Sequence, residues 1–119
     1  MTSEAQLQRA VMRYLSYALP SDAVALHVPN EGKRSPMMGA ELKRQGMLTG
    51  CPDIFVLHNA SAYAIELKAR NGRVRDSQRA TFERLNHAGC PVAICRSIDD
   101  VHDVLTTWGI PLVGAITAT

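Results

Sequence analysis

Two acids and a lysine, Asp53, Glu66 and Lys68, stand in the otherwise largely apolar stretch GCPDIFVLHNASAYAIELKAR, residues 50–70. The stretch reads as a hairpin turning at Asn59, and if its loop holds an even number of residues centred on Asn59 and Ala60, paired positions sum to 119. In that register Asp53 faces Glu66, Phe55 faces Ala64 and Leu57 faces Ala62, large against small. Side chains alternate along a strand, so Glu66 and Lys68 join Asp53 on one face while Tyr63, Ile65 and Leu67 take the other. Facing carboxylates with Cβ atoms about 5 Å apart repel each other unless something positive lies between them. A divalent cation meets that need. Two hard oxygen donors, a backbone carbonyl and several waters suit Mg²⁺, which keeps part of its hydration shell and takes phosphate oxygens as further ligands. The plainer alternative is a Lys68 salt bridge bracketed by two acids and chemically idle. Phe55, Ala62 and Ala64 would share the same face, and burying charge without a task is costly, which argues for the cation.

Two more polar side chains point the same way. Glu4 precedes Leu7 and Val11 at helical spacing and extends their stripe; its alternative role is a favourable acid at a helix N-terminus. Gln78 lies four and seven residues before Phe82 and Leu85, in the first turn of a helix and on its inward side. An inward amide needs partners, here either the acidic site or a loop carbonyl.

The elements that must position these residues can be read along the chain. SEAQLQRAVMRYLSYAL opens with Ser3 and Gln6 as a capping box, repeats Leu7, Val11, Tyr14, Leu15 and Ala18 at helical spacing, and stops at Pro20. AVALHVPN alternates as a strand, PNEGKRSP is a polar loop, and a short helix covers MGAELKRQG. The hairpin supplies the strands DIFVLH and AYAIELKA. After the RNGRVR loop, DSQRATFERLNHAG reads as a helix capped by Asp76 or Ser77 and closed by Gly89. PVAIC is a short buried strand, and SIDDVHDVLTTWG a second capped helix with Val101, Val104, Leu105 and Trp108 inward. This order predicts an α/β protein, a mixed sheet flanked by helices, in a single domain spanning residues 1–119.

Composition narrows the function classes. No apolar run is long enough to cross a bilayer and the N-terminus lacks a signal-peptide core, so we expect a cytoplasmic protein with no membrane partner. Cys51, Cys90 and Cys95 are odd in number and lack CxxC spacing, which argues for buried small hydrophobes over a disulfide framework or zinc site. Between Lys33 and Arg84 ten Lys or Arg stand against five acids, whereas three acids and no Lys or Arg follow Ser97. A basic middle of this kind suits a polyanion, although a solvated helix face explains part of it.

CPDIF followed by IELKA, with twelve residues between the two acids, resembles the PD-(D/E)xK nuclease motif. GMLTGCPD (Gly46, Gly50, Pro52, Asp53), the early Glu4, HVPNEG with Asn30, and DSQ with Gln78 resemble more closely the virus-type replication-repair nucleases, the VRR-NUC family, in its stand-alone form. The likeness runs from Glu4 to about Ile98. It implies a restriction-endonuclease-like αβββαβ core in which Asp53, Glu66 and the Leu67 carbonyl hold Mg²⁺, with Mn²⁺ as a substitute. It further implies that Lys68 positions or activates water, that Glu4 binds a metal-bound water, and that Gln78 orients Lys68 or a phosphate oxygen.

The activity so implied is hydrolysis of DNA phosphodiester bonds to 5′-phosphate and 3′-hydroxyl ends, in a bacterial or phage-infected host cell. Lys33, Arg34, Lys43, Arg44, Arg70, Arg73 and Arg75 flank the site and are expected to hold phosphates without reading sequence. Stand-alone relatives are linked to branched DNA, Holliday junctions in particular. Symmetrical cutting of a junction needs two sites on a two-fold axis, hence a homodimer, and the apolar tail GIPLVGAITAT is either its surface or a last strand of the sheet. Two other readings stay open: a non-catalytic nucleic-acid-binding module, and a restriction-like or exonuclease member of the same superfamily. Small size, with no room for a recognition domain, counts against sequence-specific restriction.

Overall fold

A computed structural model describes residues 2–29 and 36–113 of the chain. Asn30, Glu31, Lys33 and Arg34 lie outside the described residues, as does the end of the apolar tail, residues 114–119. The elements run α1 (Glu4–Ala18), β1 (Ala23–His27), α2 (Pro36–Arg44), β2 (Ile54–His58), β3 (Ser61–Leu67), α3 (Asp76–His87), β4 (Val92–Cys95) and α4 (Ile98–Thr107). The expected order is therefore present. Element ends shift by one to three residues from the sequence expectation.

β1 to β4 form one four-stranded sheet in that spatial order, the first two pairs antiparallel and β3–β4 parallel across the α3 crossover. The hairpin register is the one read from the sequence: Phe55 pairs with Ala64, Leu57 with Ala62, and Ile54 with Ile65. A two-residue turn sets it, with Asn59 at φ 51° and Ala60 at φ 61°. Positive φ at both positions gives the primed turn whose twist matches the flanking strands.

One face of the sheet carries Ile54, Val56, Ile65, Leu67 and Cys95, and packs on Leu7, Val11, Leu15 and Ala18 of α1 and on Val101 and Leu105 of α4. Tyr63 stacks on Trp108 on the same side, ring centres 4.8 Å apart. Each such fully buried branched side chain contributes roughly 1.5–3 kcal/mol. This layer fixes β3, and so the odd-numbered side chains of β3 that lock its orientation also aim Glu66 and Lys68 the other way, toward α3.

Two expectations need correcting, and a third, the tail, is described only to residue 113. Neither Asp76 nor Ser77 caps α3: the cap residue is Arg75, Asp76 is the first helical residue, and no side chain of the cap residue closes the helix end. β4 is only partly buried, since Cys95 is covered while Ile94 is 41% exposed. Within the described residues the tail adds no strand to the sheet. Ile110 is buried in the core and the Val113 N–H donates to the Ala18 carbonyl at 2.8 Å. The cysteines form no disulfide, and burial pushes the Cys95 thiol up to about 12.

Candidate active site

The site is built where the C-terminal end of β3 meets the segment before β2 and the first turn of α3. Continuing the ladder one step past Ile54–Ile65 sets Asp53 opposite Glu66. Asp53 does not bond to its partner. Its Oδ2 accepts the Leu67 N–H at 2.7 Å, while its carbonyl accepts the Val28 N–H at 2.7 Å and lies 3.1 Å from His27 Nδ1. Backbone bonds on both sides thus hold Asp53 at the sheet's end.

Glu66 and Lys68 are 3% and 5% exposed, an unusual depth for charged side chains. Lys68 Nζ lies 3.2 Å from Glu66 Oε2 and donates to Gln78 Oε1 at 2.9 Å. Gln78 Oε1 also accepts the Arg75 N–H at 2.9 Å, and Gln78 Nε2 donates to Glu66 Oε2 at 3.0 Å. Two donors converging on one end of the amide fix which end is oxygen, so the NH₂ must face the carboxylate. Gln78 therefore reads the loop's N–H and not a loop carbonyl, and it ties Lys68 and Glu66 together.

The lysine bracketed by two acids is present in part: Lys68 is ion-paired to Glu66, while it acts on Asp53 through its charge. Among the described residues Lys68 pairs with Glu66, and Asp53 turns to the Leu67 N–H instead. What is left over is Glu66 Oε1, buried with no hydrogen-bond partner. A buried carboxylate oxygen without a donor is expensive, and the cost shows in its acidity. Burial first, then the Asp53 charge, push Glu66 up to about 7 despite Lys68, and Glu4 adds in the same direction. Asp53 is raised as well, by burial and by Glu4, with the Leu67 N–H opposing.

Glu4 is exposed, one turn beyond the buried stripe of α1 that starts at Leu7. The capping box closes as read, Ser3 Oγ accepting the Gln6 N–H at 3.1 Å and Gln6 Oε1 the Ser3 N–H at 2.9 Å. It starts the helix so that the Glu4 carboxylate is near enough to act on Asp53 and Glu66.

Gly50 explains the glycine before the acid. It has φ 76°, and a Cβ there would stand 2.6 Å from the Ser77 carbonyl and 2.9 Å from Gln78 Cα. Only glycine lets the Thr49–Asp53 segment press on the first turn of α3. Thr81 Oγ1 strengthens the same seam, donating to the Thr49 carbonyl at 2.6 Å. Thr81 was not singled out in the sequence, although its place three residues after Gln78 puts it on the same inward side. His27 was missed too, because nothing in its strand pattern announces a contact with Asp53.

Among the described residues no group of three or more His, Cys, Asp and Glu side chains could hold a metal ion. The side-chain donors are two carboxylates, which suits a cation that is completed by waters, phosphate oxygens and a backbone carbonyl. The orphaned Glu66 Oε1 is the fitting acceptor. Arg70, Arg73 and Arg75 are exposed on the connection that follows Lys68. Lys43 and Arg44 end α2, and Arg44 is turned onto Glu41 at 2.8 Å. Lys33 and Arg34 fall outside the described residues.

No described helix is long and apolar enough to cross a membrane. The model of a family described as "VRR-NUC domain" matches residues 2–99. A solved structure titled "VRR_NUC domain protein" superposes with a TM-score of 0.75 at 22% identity, over 93% of this chain and 92% of that one. Another, titled "VRR_NUC domain", gives a TM-score of 0.57 at 19% identity over 89% and 97%. No curated protein matches at a significant level.

Proposed function

The chain belongs to the VRR-NUC family, a nuclease family, and from that premise we propose that it is a metal-dependent endonuclease acting on branched DNA, four-way junctions in particular. The observation that carries the reading is the Glu66 carboxylate, buried at 3% exposure, facing Asp53 and with one oxygen unmet. Asp53, Glu66 and the Leu67 carbonyl would hold Mg²⁺, or Mn²⁺ in its place. When bound, the cation supplies Lewis-acid polarisation of the phosphate and a water of lowered pKa.

The chain's own groups do the rest. Lys68, held by Gln78 and Glu66, presents a fixed ammonium to the charge that develops on the phosphate, so no reorganisation is needed as the bond breaks. Gln78 orients Lys68. Glu4 orients water from the side of α1. Arg70, Arg73, Arg75, Lys43 and Arg44 hold flanking phosphates, which positions DNA by shape rather than by sequence. Cutting both strands of a junction requires two copies, and we assign the protein as a homodimer in that act.

Labelled junction, flap and linear DNA incubated with Mg²⁺, Mn²⁺ or EDTA test this. We expect metal-dependent cleavage, strongest on the junction, with Asp53→Ala and Lys68→Ala reducing it by at least about 100-fold while DNA binding persists. Binding without cleavage in either metal would sink the enzyme reading in favour of a binding module. Cleavage of linear ends alone would point to an exonuclease.

A further inference from the structure

Arg96 stands just past β4, outside the residues given a role so far. Its Nη1 donates to the Ala69 and Gly72 carbonyls, both at 2.8 Å, and lies 3.4 Å from that of Arg70. A terminal guanidinium nitrogen carries two hydrogens, so the two short contacts are its full bonds and the third carbonyl shares mainly its charge. The turn it grips follows Lys68 directly and is closed by the Gly72 N–H on the Ala69 carbonyl at 2.9 Å.

Both sides of the grip are anchored. The Arg96 N–H donates to Asp100 Oδ2 at 2.8 Å, and Ser97 Oγ accepts the Asp100 N–H at 3.1 Å to cap α4. The Lys68 N–H donates to the Cys95 carbonyl at 3.1 Å, so the turn leaves the sheet beside the end of β4, which Arg96 follows. On its other side the turn meets Glu4: a Cβ on Gly72 would lie 3.3 Å from Glu4 Oε2. The carboxylate therefore rests close against the backbone that Arg96 holds. Without the guanidinium the converging carbonyls lose their shared donor, and the turn is left with its own Gly72–Ala69 bond and the Lys68–Cys95 bond to hold it.

We infer that Arg96 is a positioning residue: by locking the Ala69–Gly72 turn it sets where the Glu4 carboxylate and the Arg70 and Arg73 side chains meet the DNA strand. The inference rests on the nuclease reading for what those groups do, but the grip itself does not. A guanidinium that merely stabilised the fold would change Tm and leave the folded protein's kcat and turn dynamics as they are.

The test compares the full chain with Arg96→Ala and Arg96→Lys, each well below its Tm. A lysine ammonium offers three hydrogens to the same carbonyls. In Mg²⁺ with labelled junction DNA, Arg96→Ala should lower kcat about tenfold to a hundredfold, the scale of a misplacement of about 1 Å, and Arg96→Lys should recover most of it. Amide hydrogen exchange at Gly72 and Arg73 should quicken in Arg96→Ala and return toward wild type in Arg96→Lys. Wild-type exchange with wild-type kcat in Arg96→Ala would overturn the inference, as would a loss confined to Tm. If the wild-type protein cuts nothing, the nuclease reading falls, while exchange and junction affinity in EDTA still judge the grip.

Discussion

At the scale of single residues the site is governed by one carboxyl. Burial and the Asp53 charge push Glu66 up to about 7 from an ordinary 4.5, so without metal the folded protein holds a proton that the unfolded chain releases earlier. A state that binds the proton more tightly is favoured at low pH, and that contribution is lost as pH rises through the folded value. Tm in EDTA should therefore decline between about pH 4.5 and pH 7.5 by an amount that Glu66→Gln largely removes. Adding Mg²⁺ at pH 8 should raise Tm in the wild type and much less in Glu66→Gln, since only the ionised acid is a good ligand. Differential scanning fluorimetry across pH checks both, and a wild-type profile indistinguishable from that of Glu66→Gln would remove Glu66 from the centre of the argument. Gln78 is the other decisive residue. Its inward placement was legible from Phe82 and Leu85, but which groups it joins was not, because its partners lie ten and twelve residues away on another element.

At the scale of elements, the hairpin transmits register to chemistry. A slip of one residue in β2 against β3 would turn Glu66 and Lys68 into the apolar layer that holds Ile65 and Leu67. The turn that prevents it contains Ala60 at φ 61°, a left-handed conformation that an L side chain adopts at a cost of about 1–2 kcal/mol. Ala60→Gly places the preferred residue at the second turn position. We expect it to stabilise the protein by about 0.5–1 kcal/mol, net of the entropy glycine loses on folding, with cleavage activity unchanged. Urea denaturation measures it, and a lower midpoint would show that the turn is not strained at Ala60. The α3 cap illustrates the limits of local reading. Asp76 and Ser77 are good capping types, yet Gln78 takes the Arg75 N–H from within the helix, and the helix therefore starts at Asp76.

For the whole molecule the distribution of charge is the informative quantity. The described strands carry no Lys or Arg; Lys68 follows the last residue of β3, and Arg70, Arg73 and Arg75 lie exposed on the connection beyond it. Cations that contact phosphates release counterions, so each contact steepens the salt dependence of binding. Substituting Arg70, Arg73 or Arg75 by Ala should weaken junction binding regardless of sequence and reduce the slope of log affinity against log salt by about 1 each. Fluorescence anisotropy in EDTA between about 50 and 200 mM salt reads this directly. Slopes unchanged in all three variants would return these arginines to solvated surface. Val24, Leu26 and Leu57 are 55%, 40% and 41% exposed on the half of the sheet that α3 does not cover. That apolar face is the reason sedimentation velocity should accompany any assay of the proposed homodimer.

Periodicity, caps and turn residues act over a few positions, and they determined the order of elements, the Asn59–Ala60 turn and, through its arithmetic, the facing of Asp53 and Glu66. Even the basic loops could be named from composition, although Lys33 and Arg34 lie beyond the described residues. Tertiary packing decided everything that needs two distant segments to touch. Gly50 had to meet Ser77 before its lack of a side chain meant anything, Gln78 had to cross to β3 to bind Lys68 and Glu66, and Arg96 had to reach back to Ala69 and Gly72. Side-chain type and spacing fix what a residue can do; only the packing of α3 and α4 on opposite faces of one sheet fixes which groups it does it with.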